Sequence, residues 1–145
     1  MTAIEVGAEF GPSSWIEMSQ DKIQAFADVT DDHNFIHVDA DMAAQTPLGG
    51  TIAHGYFTLS LLPIMSYELL PHDDPGAGMA LNYGLNKVRF PAPVPSGSRV
   101  RGTFHVDAVD EQDWGRQVAM TATIECEGVE KPVCVAETLY RYYRL

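Results

Sequence analysis

The heptapeptide from Asp31 to His37, "DDHNFIH", places carboxylate, amide and imidazole groups within one short stretch. Asp32 and His37 are five positions apart, with Asn34 between them. If the chain turns over at Asn34, both side chains point into one small volume. A carboxylate and an imidazole around one water form an acid–base pair, and histidine titrates near neutrality. Partial burial is expected beside the apolar Phe35 and Ile36. For any one of these residues the plainer explanation is a turn, since Asp and Asn stop helices and shape loops. The joint spacing is what favours chemistry.

A metal site is the alternative, built from His33, His37 and Asp39 with His54. The segment is expected to be non-helical, because Asn34 and the β-branched Ile36 and Val38 interrupt it. No cysteine is near, and no HExxH arrangement exists. No metal is therefore expected, and His33 is read as exposed. The stretch "IAHGYFTLS" supplies a second half-site. Gly55 falls in the first turn of an apolar helix, where N–H groups lack intrahelical acceptors and can polarise a carbonyl oxygen. Close helix–strand packing explains a glycine there equally well. Ser60 can bond back to a helix carbonyl, and His54 reads as a core histidine.

The elements that must position these residues follow from composition and period. The chain has 145 residues, a formal net charge of −11 and 46% apolar residues, so one domain spanning residues 1–145 is expected. Such an acidic surface repels phosphate and disfavours nucleic acid and anionic membranes. The N-terminus lacks the basic start and apolar run of a secretion signal. Cys126 and Cys134, which flank the turn "EGVEKP", are read as reduced core thiols. A cytoplasmic location is expected.

The first eleven or so residues read as an irregular lead-in, and "SSWIEMS" as a short strand. Ser19 caps a helix from Gln20 to about Thr30, with Ile23, Phe26, Ala27 and Thr30 on one face. "DADMAAQTPLGG" reads as a short helix. Thr51 to Leu70 is apolar almost all round. It is long enough for a bilayer, but its polar residues and missing basic flanks favour a buried core helix, bent or broken at Pro63. "PHDDPGAG" reads as a loop. The second half alternates with period two over Val100–Ala108 and Trp114–Cys126, and Val133–Tyr143 is apolar on both faces. In "GMALNYGLNKVRF" the apolar phase slips near Asn86 and Lys87, as a β-bulge would make it do. The fold class is therefore α+β: one helix-wrapping antiparallel sheet in a single hot-dog domain.

At this point the residues resemble a known family. "FADVTDDHNFIHVDADMAAQTPLGGTIAHGYFTLSLLP" looks like the signature of the MaoC-like dehydratases, which include the (R)-specific enoyl-CoA hydratases. "LNYGLNKVRFPAPVPSGSRVRG" is similar to the nodulation protein N subgroup. The family pattern is Asp, one residue, Asn-Pro, one residue and His, followed by (I/V)-(A/V)-His-Gly. The resemblance runs from about Ser19 to Tyr143. It implies a long central helix wrapped by a five-stranded antiparallel sheet, paired into a homodimer. It implies that Asp32 and His37 are catalytic, that the Gly55 N–H holds a thioester oxygen, that Asn34 fixes the loop and that Ser60 supports the site. The implied reaction is hydration of trans-2-enoyl-CoA in fatty acid metabolism, with no cofactor beyond the CoA of the substrate.

Asn86 at the bulge and Arg89 are then expected to bind substrate. Lys87, Arg99 and Arg101 are further phosphate contacts, or else solvated strand charges. Phe35 departs from the pattern by standing where the family places proline. Tyr56 and Phe57 are expected to narrow the acyl tunnel. Two rivals remain. A hot-dog thioesterase usually carries a carboxylate on the central helix, where this chain has only Glu68. A non-catalytic acyl-binding subunit would be free to lose the Asp32–His37 pair. The acidic surface favours CoA over an acidic carrier protein.

Overall fold

The structure is a computed structural model, and it describes residues 3–72 and 78–145. The expected loop at Pro71–Gly78 lies for the most part outside them. The lead-in is not wholly irregular. It carries β1 (Glu9–Phe10), followed by β2 (Ile16–Glu17). Strands of two residues have no period to read, so β1 was invisible in the sequence.

Ser19 starts α1 (Gln20–Thr30) by accepting the Lys22 N–H at 3.3 Å, and Asp31 ends it in the left-handed region at φ 58°. Ile23 and Ala27 are the residues it buries. The polar heptapeptide then does something the β-branched residues argued against. Its second half forms a one-turn helix, α2 (Phe35–Val38). Asn34 offsets the poor propensity by capping it, with its side-chain oxygen accepting the Ile36 N–H at 3.4 Å. Asp39 in turn caps α3 (Ala40–Ala44) through the Met42 N–H at 3.0 Å.

The apolar stretch from Thr51 does not start as a helix. Ile52 is held in an isolated bridge to Pro95, so helix begins only at α4 (Gly55–Leu59). After a break at Ser60 and Leu61 the chain continues as α5 (Leu62–Leu69). Pro63 lies in the first turn of α5, where its missing N–H is not needed. The expected break is therefore present, but burial on nearly all sides is not. Tyr56, Ile64 and Tyr67 are exposed, and only one face, with Thr58, Leu62, Met65 and Ser66, turns inward. No helix among the described residues is long and apolar enough to cross a membrane.

Four longer strands follow: β3 (Met79–Arg89), β4 (Arg99–Gln112), β5 (Gly115–Cys126) and β6 (Cys134–Tyr143). They pair antiparallel in the order β1-β4-β5-β6-β3, with β2 also pairing β4 beside β1. The sheet is thus six strands in five positions. Val100, Phe104, Val118, Met120 and Ile124 fill the core with Ile23 and Met65. At Gly102 a Cβ would sit 2.6 Å from the Met65 sulfur, so glycine lets the α5 layer approach β4. Cys126 and Cys134 are buried free thiols, and burial pushes Cys134 up to about 11.

β6, apolar on both faces, is an inner strand paired by β5 on one side and β3 on the other. β3 is the edge. Its register slips twice, between Asn82 and Gly84 and between Leu85 and Lys87. Partners across a sheet share a face. Asn82 opposite Tyr140, Leu85 opposite Thr138 and Val88 opposite Ala136 therefore face the helices. Met79 and Leu81 face away and are exposed, as is Tyr83.

Candidate active site

His37 is the third residue of the one-turn α2 and is buried at 7% exposure. Its Nδ1 lies 2.7 Å from the Ile52 carbonyl. A carbonyl can only accept, so Nδ1 carries the proton and Nε2 of the neutral ring is left as a base. The segment around it is stitched down. Gln20 Nε2 donates to the His37 carbonyl at 2.7 Å, Thr51 donates to Gln20 Oε1 at 2.7 Å, and the Ile52 N–H donates to the Ile36 carbonyl at 3.0 Å. Burial pushes the His37 imidazole below its ordinary pKa. The Ile52 bond and the Asp32 charge oppose this, and His54 adds to it.

Asp32 follows the left-handed Asp31 and is exposed, so the expected burial falls on the imidazole and not on the carboxylate. One ligand-type atom from each of Asp32, His37 and His54 lies within 4.8 Å of the others. The turn at Asn34 does bring the acid and the base together. His54, read from sequence as a plain core residue, is the third member. It is 2% exposed, its Nε2 lies 3.0 Å from the Asp32 main-chain carbonyl, and its ring stacks on His37 at 3.8 Å. Its type and position alone do not separate that role from core packing, because its partners are 22 and 17 positions away, and the one signal that marks it is its place as the His of the His-Gly pair in the family pattern.

The metal set weighed from sequence does not assemble. His33 pairs with Asp28 at 2.9 Å on the surface, and the Asp39 carboxylate is engaged in capping α3. Asp32 joins His37 and His54 instead, and with His37 Nδ1 and His54 Nε2 bonded to carbonyls each ring keeps its other nitrogen open.

Gly55 opens α4 directly after His54. A Cβ there would meet the Phe90 ring at 3.0 Å, so the close packing expected of a glycine is real, and its first-turn N–H has no acceptor within the helix. Ser60 donates to the Tyr56 carbonyl at 2.6 Å, the back-bond anticipated above. It also lines a cavity of about 400 Å³ with Leu59, Pro63, Asn82, Leu85 and Thr138. A second cavity of about 450 Å³ continues along α5 toward Pro71 and shares Pro63, Asn82 and Tyr140. Together they form a groove between the helices and the edge strand. Tyr140 borders both, and burial raises its phenol to about 12.

The remaining expectations fare differently. Asn86 lies at the second register slip and is exposed, and Arg89 donates to its neighbour's carbonyl, that of Val88, at 2.7 Å. Neither contacts the Asp32–His37 pair among the described residues. Arg99 and Arg101 are engaged by Glu127 and Glu125 at 2.6 Å each and lie over the Trp15 ring. Their charge is thus met by carboxylates. Phe57 turns inward onto Phe26 at 5.2 Å and Tyr56 faces outward, so neither lines the cavities. Phe35 is exposed at the first position of α2.

Against known proteins, the family described as MaoC like domain matches residues 2–129. The chain is 48% identical over 141 residues to 3-hydroxyacyl-thioester dehydratase Z of Mycobacterium tuberculosis, covering 97% of this chain and 92% of that protein. It is 45% identical over 135 residues to nodulation protein N of Rhizobium leguminosarum bv. viciae, covering 90% and 82%. The R-hydratase PhaJ1 of Pseudomonas aeruginosa, in its unliganded form, superimposes with a TM-score of 0.77 at 26% identity, over 97% of this chain and 83% of that one.

Proposed function

Because the chain belongs to the MaoC-like dehydratase family, we propose that it hydrates trans-2-enoyl-CoA thioesters to (R)-3-hydroxyacyl-CoA, and dehydrates them in reverse. The observation that carries this reading is the free Nε2 of His37 beside the Asp32 carboxylate. The pair holds one water. His37 Nε2 takes a proton as the water oxygen bonds to C3. One proton returns from the pair to C2, so the protein ends unchanged. Negative charge built up on the thioester oxygen is met by the Gly55 N–H, a contribution of about 3 kcal/mol for one good donor.

The acyl chain follows the groove lined by Leu59, Ser60 and Leu85. Asn34 fixes the catalytic loop through its cap, and Asn86 and Arg89 bind the CoA portion from β3. The reaction needs no cofactor beyond that CoA. The whole chain acts as one domain, and buried free thiols fit a cytoplasmic setting. A homodimer forms along the exposed β3 edge. Thioester hydrolysis is less well supported. Glu68, the carboxylate of α5, is taken up by the Ser14 N–H at 2.8 Å and hydroxyl at 2.6 Å.

Purified protein with crotonyl-CoA separates the readings. Loss of enoyl absorbance without thiol release is expected. Thiol release would make the protein a thioesterase, and neither signal at any chain length would make it a binding subunit.

A further inference from the structure

The His54 imidazole is buried and bonded, yet the hydration chemistry above gives it no step. We infer that His54 is a positioning residue of this site, holding the Asp32 backbone by its Nε2–H while its ring supports His37 from beneath. The inference rests on the hydratase reading for its catalytic consequence and on geometry for the rest. Asp32 sits in an exposed connection between α1 and α2, just after a left-handed residue. Among the described residues its carboxylate makes one long hydrogen bond, 3.4 Å from the Asn34 N–H. The 3.0 Å bond from His54 to the Asp32 carbonyl is the anchor that ties this connection to the buried layer.

The His54 ring lies between Phe26, at 4.9 Å, and His37, at 3.8 Å and 23° from parallel. One residue thus touches both members of the pair, by a bond to one and a stack on the other. Packing alone does not call for imidazole here. Among the described residues His54 Nδ1 is buried with no hydrogen-bond partner, and a phenyl ring would fill the same space without an orphaned nitrogen. The donor at Nε2 is what a phenyl ring lacks.

Two variants isolate that donor. His54→Phe keeps a stacking ring and removes the N–H, whereas His54→Gln replaces the ring but returns an N–H at similar reach. With crotonyl-CoA, His54→Phe should lose about 100-fold in kcat, the scale of a small misplacement of a reacting group. KM should stay within about twofold, and melting should not fall. His54→Gln should recover part of the kcat, because the N–H to Asp32 returns while the ring under His37 does not. Backbone 15N order parameters over Asp32–Asn34 should drop in His54→Phe from the rigid range near 0.85 toward about 0.6, and recover in His54→Gln. Wild-type kcat and order parameters in His54→Phe would overturn the inference while leaving hydration intact. If wild-type protein hydrates no enoyl-CoA, the hydratase reading fails separately. The order parameters then still decide whether His54 holds the loop.

Discussion

His37 shows how far one residue's chemistry depends on neighbours remote in sequence. The sequence made an Asp32–His37 pair legible through residue types and spacing. It did not reveal which nitrogen is the base, because the deciding carbonyl, Ile52, lies fifteen positions away and arrives only with the fold. The same limit hid His54. It also misplaced the burial, which covers the imidazole and leaves Asp32 exposed. A consequence is measurable in pH. Burial depresses the His37 pKa below its ordinary 6.5, so the neutral base survives to lower pH. The acidic limb of kcat/KM should therefore fall below pH 6.5. The folded state also binds fewer protons at this group than the unfolded chain. Its share of stability is present above the unfolded value and lost as pH falls through the depressed one. An acidic limb above 6.5 in a pH–rate profile would show that another group titrates.

At the scale of elements, caps were readable and so was the short α3, but the one-turn α2 was not. Ser19 and Asp31 bound α1 where expected, because an eleven-residue amphipathic helix carries both a period and a cap. The four residues of α2 carry no period, and their β-branched content argued against helix. The Asn34 cap and the stitching through Gln20 and Ile52 win instead. This recasts the Phe35 departure. Phe35 is the first residue of α2, where a missing N–H is harmless, and Asn34 before it has φ −53° and ψ 132°, a conformation proline accepts. Phe35→Pro should fold, raise stability by about 0.4–1 kcal/mol and keep turnover. Thermal melting and the crotonyl-CoA assay check it. A large loss of stability would mean that the Phe35 ring, not the turn, sets the loop.

The sheet and its edge belong to the scale of the whole molecule. Period-two alternation announced β4 and β5, and the two apolar faces of β6 fit a strand paired on both sides. The pairing of β1 and β2 with one strand, and the outer place of β3, are set by long-range contacts that leave no local trace. An eleven-residue edge strand with Met79, Leu81 and Tyr83 exposed is a surface that invites another strand. In the proposed dimer this edge is covered. Sedimentation equilibrium should give twice the chain mass for wild-type protein and a shift toward monomer for Leu81→Glu. A wild-type monomer would contradict the pairing.

The proposed chemistry rests on one water held between Asp32 and His37, whose ligand-type atoms lie within 4.8 Å of each other. The most direct test is the steady-state hydration of crotonyl-CoA by Asp32→Asn and by His37→Ala, with circular dichroism confirming that each variant is folded. Each should lose about 10²- to 10⁴-fold in kcat, the range for removing a positioned acid or base. Turnover at the wild-type rate in either folded variant would contradict the site.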